Sequence, residues 1–173
     1  MQSKRRWLLP SEVIYMNKLT RFFILAVLAL PAVMRAGDND LAVVVNKNNS
    51  ASSLTKSQLR KLVLGEQASW PGGQKVTVVL AGPGSPDRDA ILRSVCRMTE
   101  EEYNEHVMHA NFNGDAVARP RVVNSAAAIR QTVAATPGAI GFLRLADLND
   151  SVKVATVDGA APGSADYKIK AAK

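Results

Sequence analysis

The stretch KVTVVLAGPGSPDRDAILRSVC, residues 75 to 96, reads as a strand, a tight polar loop and a helix. Lys75 to Leu80 is β-branched and nearly all apolar, the pattern of a strand covered on both faces by helices. Ala81, Gly82, Pro83 and Gly84 break the run. Ser85 is then a good N-cap, and Pro86 suits the first helical position, where a missing N–H costs nothing. A helix starting at the carboxyl end of a buried strand turns free amides and partial positive charge toward one spot, which is where an open α/β sheet binds anions. Arg88 lies in the first helical turn, where a guanidinium fork can meet a carboxylate or oxyanion. Gly84, Ser85 and Arg88 are therefore the candidate anion-binding residues. Ordinary strand–turn–helix punctuation gives the same pattern. Pro83 and Pro86 lack N–H donors, and Asp87 places a carboxylate at the same helix end, where it satisfies the dipole itself and repels an anion.

Outward from this stretch the chain alternates strands and helices. Leu41 to Asn46 is a continuous apolar run and reads as a central strand. Thr55 and Gln58 have capping-box spacing, and Leu59, Leu62 and Val63 share a face before Gly65 ends the helix. Strand, helix and the 75–80 strand together predict a right-handed crossover joining a parallel pair. Thr99 and Glu102 form a second capping box, opening an acidic helix that carries Tyr103, Val107 and Ala110 on one face. Asn113, Gly114 and Asp115 close it, with Phe112 as an anchor. Residues 120–123 read as a short strand, with Pro120 marking either an edge strand or a strand start. Ser125 caps a helix ended by Thr136, Pro137 and Gly138. Ala139 to Leu143 reads as a buried strand whose Gly141 admits a neighbouring backbone, and residues 152–157 as a half-exposed last strand. Residues 159–173, rich in small side chains, are expected to pack poorly. The fold class is α/β, an open, mainly parallel mixed sheet flanked by helices.

The chain has 173 residues, 22 Lys and Arg against 15 Asp and Glu, and a formal net charge of +7. This excess does not indicate nucleic acid. Basic residues 17–21, an apolar run from Phe22 to Met34 and the Arg35-Ala36-Gly37 junction have the layout of a secretory signal peptide, cleaved after Ala36. The run is short for a membrane span. Met16 reads as the more natural start, with residues 1–15 expected to be an upstream extension. The first 36 residues hold six of the basic groups and one acidic group, so 16 against 14 remain. Residues 37–158 are expected to form one exported, periplasmic domain.

Chemistry is sparse. Cys96, the single cysteine, lies on the stripe of Ile91, Leu92 and Val95 and reads as a buried small hydrophobe. Glu102, His106 and His109 can share a helix face, but the chain offers no further His or Cys to complete a metal site. There is no nucleophile elbow, and Gly82 to Gly84 lacks the Lys-Ser/Thr of a nucleotide loop. No catalytic set, metal or cofactor is expected.

The order of the pieces resembles the phosphate ABC-transporter substrate-binding protein family. The likeness is carried by the LAVVVN strand, Leu64-Gly65-Glu66, Trp70-Pro71-Gly72-Gly73, the strand and loop reaching Arg88, Phe112-Asn113-Gly114, and residues 136–142. It runs from Leu41 to about Leu148. The resemblance implies one lobe of a fold whose full-size members clamp phosphate between two lobes with amides, hydroxyls and an arginine. Where the family has Gly-Ser-Gly-Thr/Ser at a helix start, this chain has Gly84-Ser85-Pro86-Asp87. Trp70, Gly138 and Gly141 match structural positions. The implied function is non-enzymatic binding of phosphate or a similar oxyanion for ABC-type uptake. A membrane transporter, another periplasmic protein or a second copy of the chain would be the partner. The alternative is a periplasmic accessory module that has lost its ligand and works through its surface.

Overall fold

All five residues of strand β1, Leu41–Val45, are fully buried, which is possible only in a sheet covered on both faces. Leu41, Val43 and Val45 enter one apolar cluster with Leu59, Leu62, Ile91, Leu92 and Tyr103. Ala42 and Val44 enter a second with Ile129, Val133 and Leu143. The period-two alternation of a strand sends successive side chains to opposite faces and so divides the core. The computed structural model describes residues 39–112 and 118–171. The expected export segment and the turn at Asn113, Gly114 and Asp115 lie outside the described residues, as does the side chain of Phe112.

The remaining elements are β2 (Ser53–Leu54), α1 (Lys56–Val63), β3 (Thr77–Ala81), α2 (Pro86–Ile91), α3 (Glu100–Phe112), β4 (Arg121–Val123), α4 (Ala126–Ala135), β5 (Ala139–Arg144) and β6 (Lys153–Val157). α2 runs on into a π-helical turn, Leu92–Cys96, that stops at Arg97 in a left-handed conformation. The local signals form where expected. Thr55 and Gln58 make the capping box of α1. Thr99 and Glu102 exchange hydrogen bonds of 2.8 and 3.2 Å at the start of α3, and the Ser125 hydroxyl accepts from the Ala128 amide.

The sheet is mixed and open, six strands in the order β2-β6-β1-β5-β3-β4. β1 pairs antiparallel with β5 and β6, whereas β3 pairs parallel with β4 and β5, and β2 with β6. The expected parallel pairing of the 41–46 and 75–80 strands does not form. β5 lies between them and runs opposite to β1, because Leu41 to Val45 pairs along its whole length with Ile140 to Arg144. β4, which follows Pro120, takes an edge position. The chain passes from β3 outward to β4 and then back across β3 to β5. Crossovers of one hand that move in opposite directions need opposite faces. α2 and the π-helical turn accordingly bury Ile91, Leu92 and Val95 in the first cluster, and α4 buries Ile129 and Val133 in the second.

Two sequence expectations are corrected. Gly141 admits chiefly side chains: a Cβ there would stand 2.9 Å from Cγ2 of Ile129 and 3.0 Å from Cγ2 of Val133, closer than the Val79 backbone oxygen at 3.5 Å, so the missing side chain lets α4 sit down on the sheet. The segment after Asp158 is packed, because Tyr167, Ile169 and Ala171 are buried. Leu41 N–H donates to the Ile169 carbonyl at 3.0 Å, and the Tyr167 hydroxyl donates to the Leu41 carbonyl at 2.8 Å. The fully buried Asp40 holds the Lys170 ammonium and accepts from the Gly163 amide.

The turn before β5 depends on glycine more strictly. Gly138 has φ +78°, a Cβ there would lie 2.2 Å from the Lys75 carbonyl oxygen, and its own carbonyl accepts from Trp70 Nε1 at 2.8 Å. Gly138→Ala therefore combines backbone strain with a backbone clash, while Gly141→Ala crowds only side-chain methyls, the Val79 carbonyl oxygen lying at an ordinary 3.5 Å. Urea denaturation should show Gly141→Ala losing about 1–3 kcal/mol and Gly138→Ala losing more than Gly141→Ala does; equal losses would contradict this reading of the turn.

Candidate functional site

Because β3 is parallel to both β4 and β5, the carboxyl ends of these three strands, Ala81, Val123 and Arg144, lie along one edge of the sheet. The loops that leave them enclose a cleft of about 400 Å³. Its wall includes Gly84, Ser85 and Asp87 after β3, Asn124 and Ser125 after β4, and Arg144 and Asp147 after β5. Open α/β sheets place ligands in this position.

Of the candidate residues, Gly84 and Ser85 line the cleft and Arg88 does not. Gly84 is exposed at φ +76°. Ser85 donates its amide to the Gly82 carbonyl at 3.1 Å, closing the turn. Its hydroxyl makes no capping bond and is left to the cleft. Arg88, expected to face an anion, is 4% exposed. Its Nε and Nη2 donate to the two carboxylate oxygens of Glu100, both at 2.8 Å, and Nη1 donates to the Ala81 carbonyl at 3.2 Å. The ring of Tyr103 lies 5.4 Å from the guanidinium. Arg88 shares a helical face with Ile91, Leu92 and Val95, and that face is turned into the core.

The arginine in the cleft is Arg144, at the end of β5. It makes a bidentate contact with Asp87, with Nη2 2.6 Å from Oδ1 and Nε 3.0 and 3.1 Å from the two carboxylate oxygens. These bonds raise the guanidinium pKa above its ordinary value, against an opposing effect of burial. Both side chains are about one-third exposed, 37% for Arg144 and 32% for Asp87. The carboxylate thus occupies the start of α2, where a negative charge is favoured by the dipole. Arg130 Nη1 fixes the neighbouring loop by donating to the Asp147 carbonyl at 2.6 Å. A polar residue at the carboxyl end of a buried strand was the available sequence signal for Arg144.

Glu102 is engaged in the Thr99 cap, while His109 is exposed and His106 half-buried on α3. Among the described residues no three His, Cys, Asp or Glu side chains cluster as metal ligands. Cys96 is fully buried, as its position on the apolar stripe implies.

A mixed α/β lobe with a polar cleft at its carboxyl edge is the architecture of solute-binding proteins, and the chain has the fold of the phosphate ABC-transporter substrate-binding family. It is similar to an ABC-type phosphate transport receptor from Vibrio cholerae, at 25% identity and a TM-score of 0.58 over 72% of this chain and 48% of that one. PstS from Borrelia burgdorferi matches at 19% identity and a TM-score of 0.61, over 77% and 55%. A Clostridium perfringens protein described as a phosphate ABC transporter substrate-binding protein, with phosphate bound, matches at 23% and 0.60, over 72% and 47%. The chain therefore spans about half the length of these proteins. No protein-family model matches the sequence. Among the described residues no helix is long and apolar enough to cross a membrane.

Burial pushes the Cys96 thiol up from 9.0 to about 12 and raises the Tyr103 hydroxyl above its ordinary value. Above about pH 9 for the thiol and pH 10 for the phenol the unfolded chain releases these protons while the folded chain keeps them, so stability falls as pH rises through this window. Cys96 alone contributes a slope of about 1.4 kcal/mol per pH unit. Urea midpoints measured from pH 8 to 10.5 should decline, and Cys96→Ala should flatten part of the decline; a wild-type midpoint constant across the range would contradict this.

Proposed function

We propose that the chain is an exported solute-binding domain that takes a small oxyanion, phosphate foremost, into the cleft at the carboxyl ends of β3, β4 and β5. One observation carries the reading: a guanidinium, an uncapped serine hydroxyl and a carboxylate meet in a cleft at that edge. Arg144 supplies forked donors that match two oxygens of an oxyanion, and Ser85 supplies a hydroxyl. Asp87 contributes selectivity. Phosphate keeps a proton at neutral pH and can donate it to a carboxylate, whereas sulfate has none and meets only repulsion. The neighbours named as phosphate receptors support the ligand class, and the secretory layout of residues 17–36 supports export. In this reading an ABC-type transporter or another periplasmic protein supplies the second wall of the cleft, since a single wall leaves the ion partly in water and binding weak.

A second reading rests on the same ion pair. Arg144 is already satisfied by Asp87, so a lobe that no longer takes an anion would serve as an accessory module acting through its surface. Isothermal titration of residues 37–173 with phosphate and with sulfate, up to 10 mM, separates the two. The oxyanion reading requires phosphate heat that is lost in Arg144→Ala. It also requires sulfate binding at least tenfold weaker, a gap that narrows in Asp87→Asn. A folded protein giving no heat with phosphate abandons the oxyanion reading in favour of the accessory one.

A further inference from the structure

Arg88 is the only buried lysine or arginine among the described residues, and the cleft reading leaves it without a role. Its three hydrogen-bonding nitrogens reach two places that are separate in sequence. Nε and Nη2 clamp both oxygens of Glu100, the first residue of α3, and Nη1 holds the carbonyl of Ala81, the last residue of β3. Ala81 lines the cleft and leads directly into the Gly82–Ser85 turn. The other end of that turn is the start of α2, the helix that carries Arg88 itself.

The tip of the turn makes few contacts of its own. Two of its four residues are glycines, Gly84 is at φ +76°, and a Cβ added at Gly84 would meet nothing within 4 Å. Its closure is one backbone bond, Ser85 N–H to the Gly82 carbonyl. Packing therefore does not hold the tip of the loop at Gly84; its base is held at Gly82, where a Cβ would stand 2.8 Å from Asn124 Oδ1, and by the groups at its two ends. A buried ion pair is also a poor way to gain stability, since well-packed apolar side chains of similar volume often do as well or better. What apolar replacements cannot supply is the planar fork, which fixes distance and angle to a carboxylate and a carbonyl together.

We propose that Arg88 is a positioning residue of the cleft: its buried guanidinium ties the end of β3 to the start of α3 and so sets where Gly84 and the Ser85 hydroxyl stand. It touches no ligand. The part of this inference that concerns affinity rests on the oxyanion reading above; the part that concerns the loop does not.

The experiment measures amide hydrogen exchange and phosphate titration on the wild-type chain and on Arg88→Met, Arg88→Lys and Glu100→Gln. Exchange of the Gly82, Gly84 and Ser85 amides is referred to that of the β1 amides, which corrects for any change in global stability. Arg88→Met fills the volume without the fork, and the three loop amides should exchange at least tenfold faster relative to β1, with phosphate affinity at least tenfold weaker. Arg88→Lys and Glu100→Gln should fall between wild type and Arg88→Met. A merely structural role would speed exchange across the domain and leave the ratio unchanged, which would overturn the proposal. Should Arg88→Met fail to fold, Glu100→Gln decides by the same ratio. Wild-type protein that gives no heat with phosphate defeats the oxyanion reading alone, and the exchange ratio still decides the role of Arg88.

Discussion

β3 hydrogen-bonds in parallel to β4 on one side and β5 on the other, and this alignment makes a site possible. Parallel partners end together, so the loops after Ala81, Val123 and Arg144 gather at one edge although they are far apart in sequence. The rest of the architecture serves this trio. The crossover helices cover opposite faces, and β1 buries all five side chains between them. Asn46, just beyond β1, donates through Nδ2 to the Val133 and Ala134 carbonyls at 2.9 and 2.8 Å, satisfying the end of α4. Gly138 and Trp70 then fix the entry into β5 by a contact that no side chain at 138 could permit. Pairing an antiparallel strand to β5 leaves the carboxyl edge undisturbed, because β1 contributes its amino end there.

Elements defined by neighbouring residues were legible in the sequence, and relations between distant elements were not. The strand, loop and helix of residues 75–96, both capping boxes and the Ser125 cap depend on groups within four positions of each other, so their spacing carries the information. Pairing order depends on which apolar run fits beside which, and runs such as 41–45 and 139–144 look alike in composition. Adjacency in sequence made β1 and β3 appear partners; β5 separates them. The tail shows a different failure. Small residues from 159 onward mask a period of two at Tyr167, Ile169 and Ala171, all buried, and the alternation was the stronger signal.

The site shows the same division. The turn at Gly84 and the helix start at Ser85 are local features and legible, and both residues line the cleft. Arg88 was misread as a ligand on its nearness to the helix start, although its spacing of three, four and seven from Ile91, Leu92 and Val95 puts it on the apolar stripe. A cation on such a stripe needs a partner in the core, and Glu100 provides it. Arg144 is illegible for the converse reason: its place in the cleft comes from where β5 ends in space, which only the parallel pairing with β3 establishes.

The two arginines occupy opposite energetic regimes, and this sorts their functions. The Arg144–Asp87 pair is about one-third exposed on each side, and exposed pairs are worth on the order of 1 kcal/mol or less. Opening it for the oxyanion proposed above would therefore be cheap, and each freed group would find a use: the guanidinium on two oxygens and the carboxylate on a ligand proton. Arg88 is 4% exposed, so separating it from Glu100 would leave a charge in the core with only the Ala81 carbonyl and the Tyr103 ring beside it, a cost of several kcal/mol. A contact that is expensive to break cannot take part in reversible capture, and a contact that is cheap to break cannot hold a glycine loop in place. Under the two proposals the lobe would combine both properties around the cleft that Ser85 lines, from one chemical group in two degrees of burial.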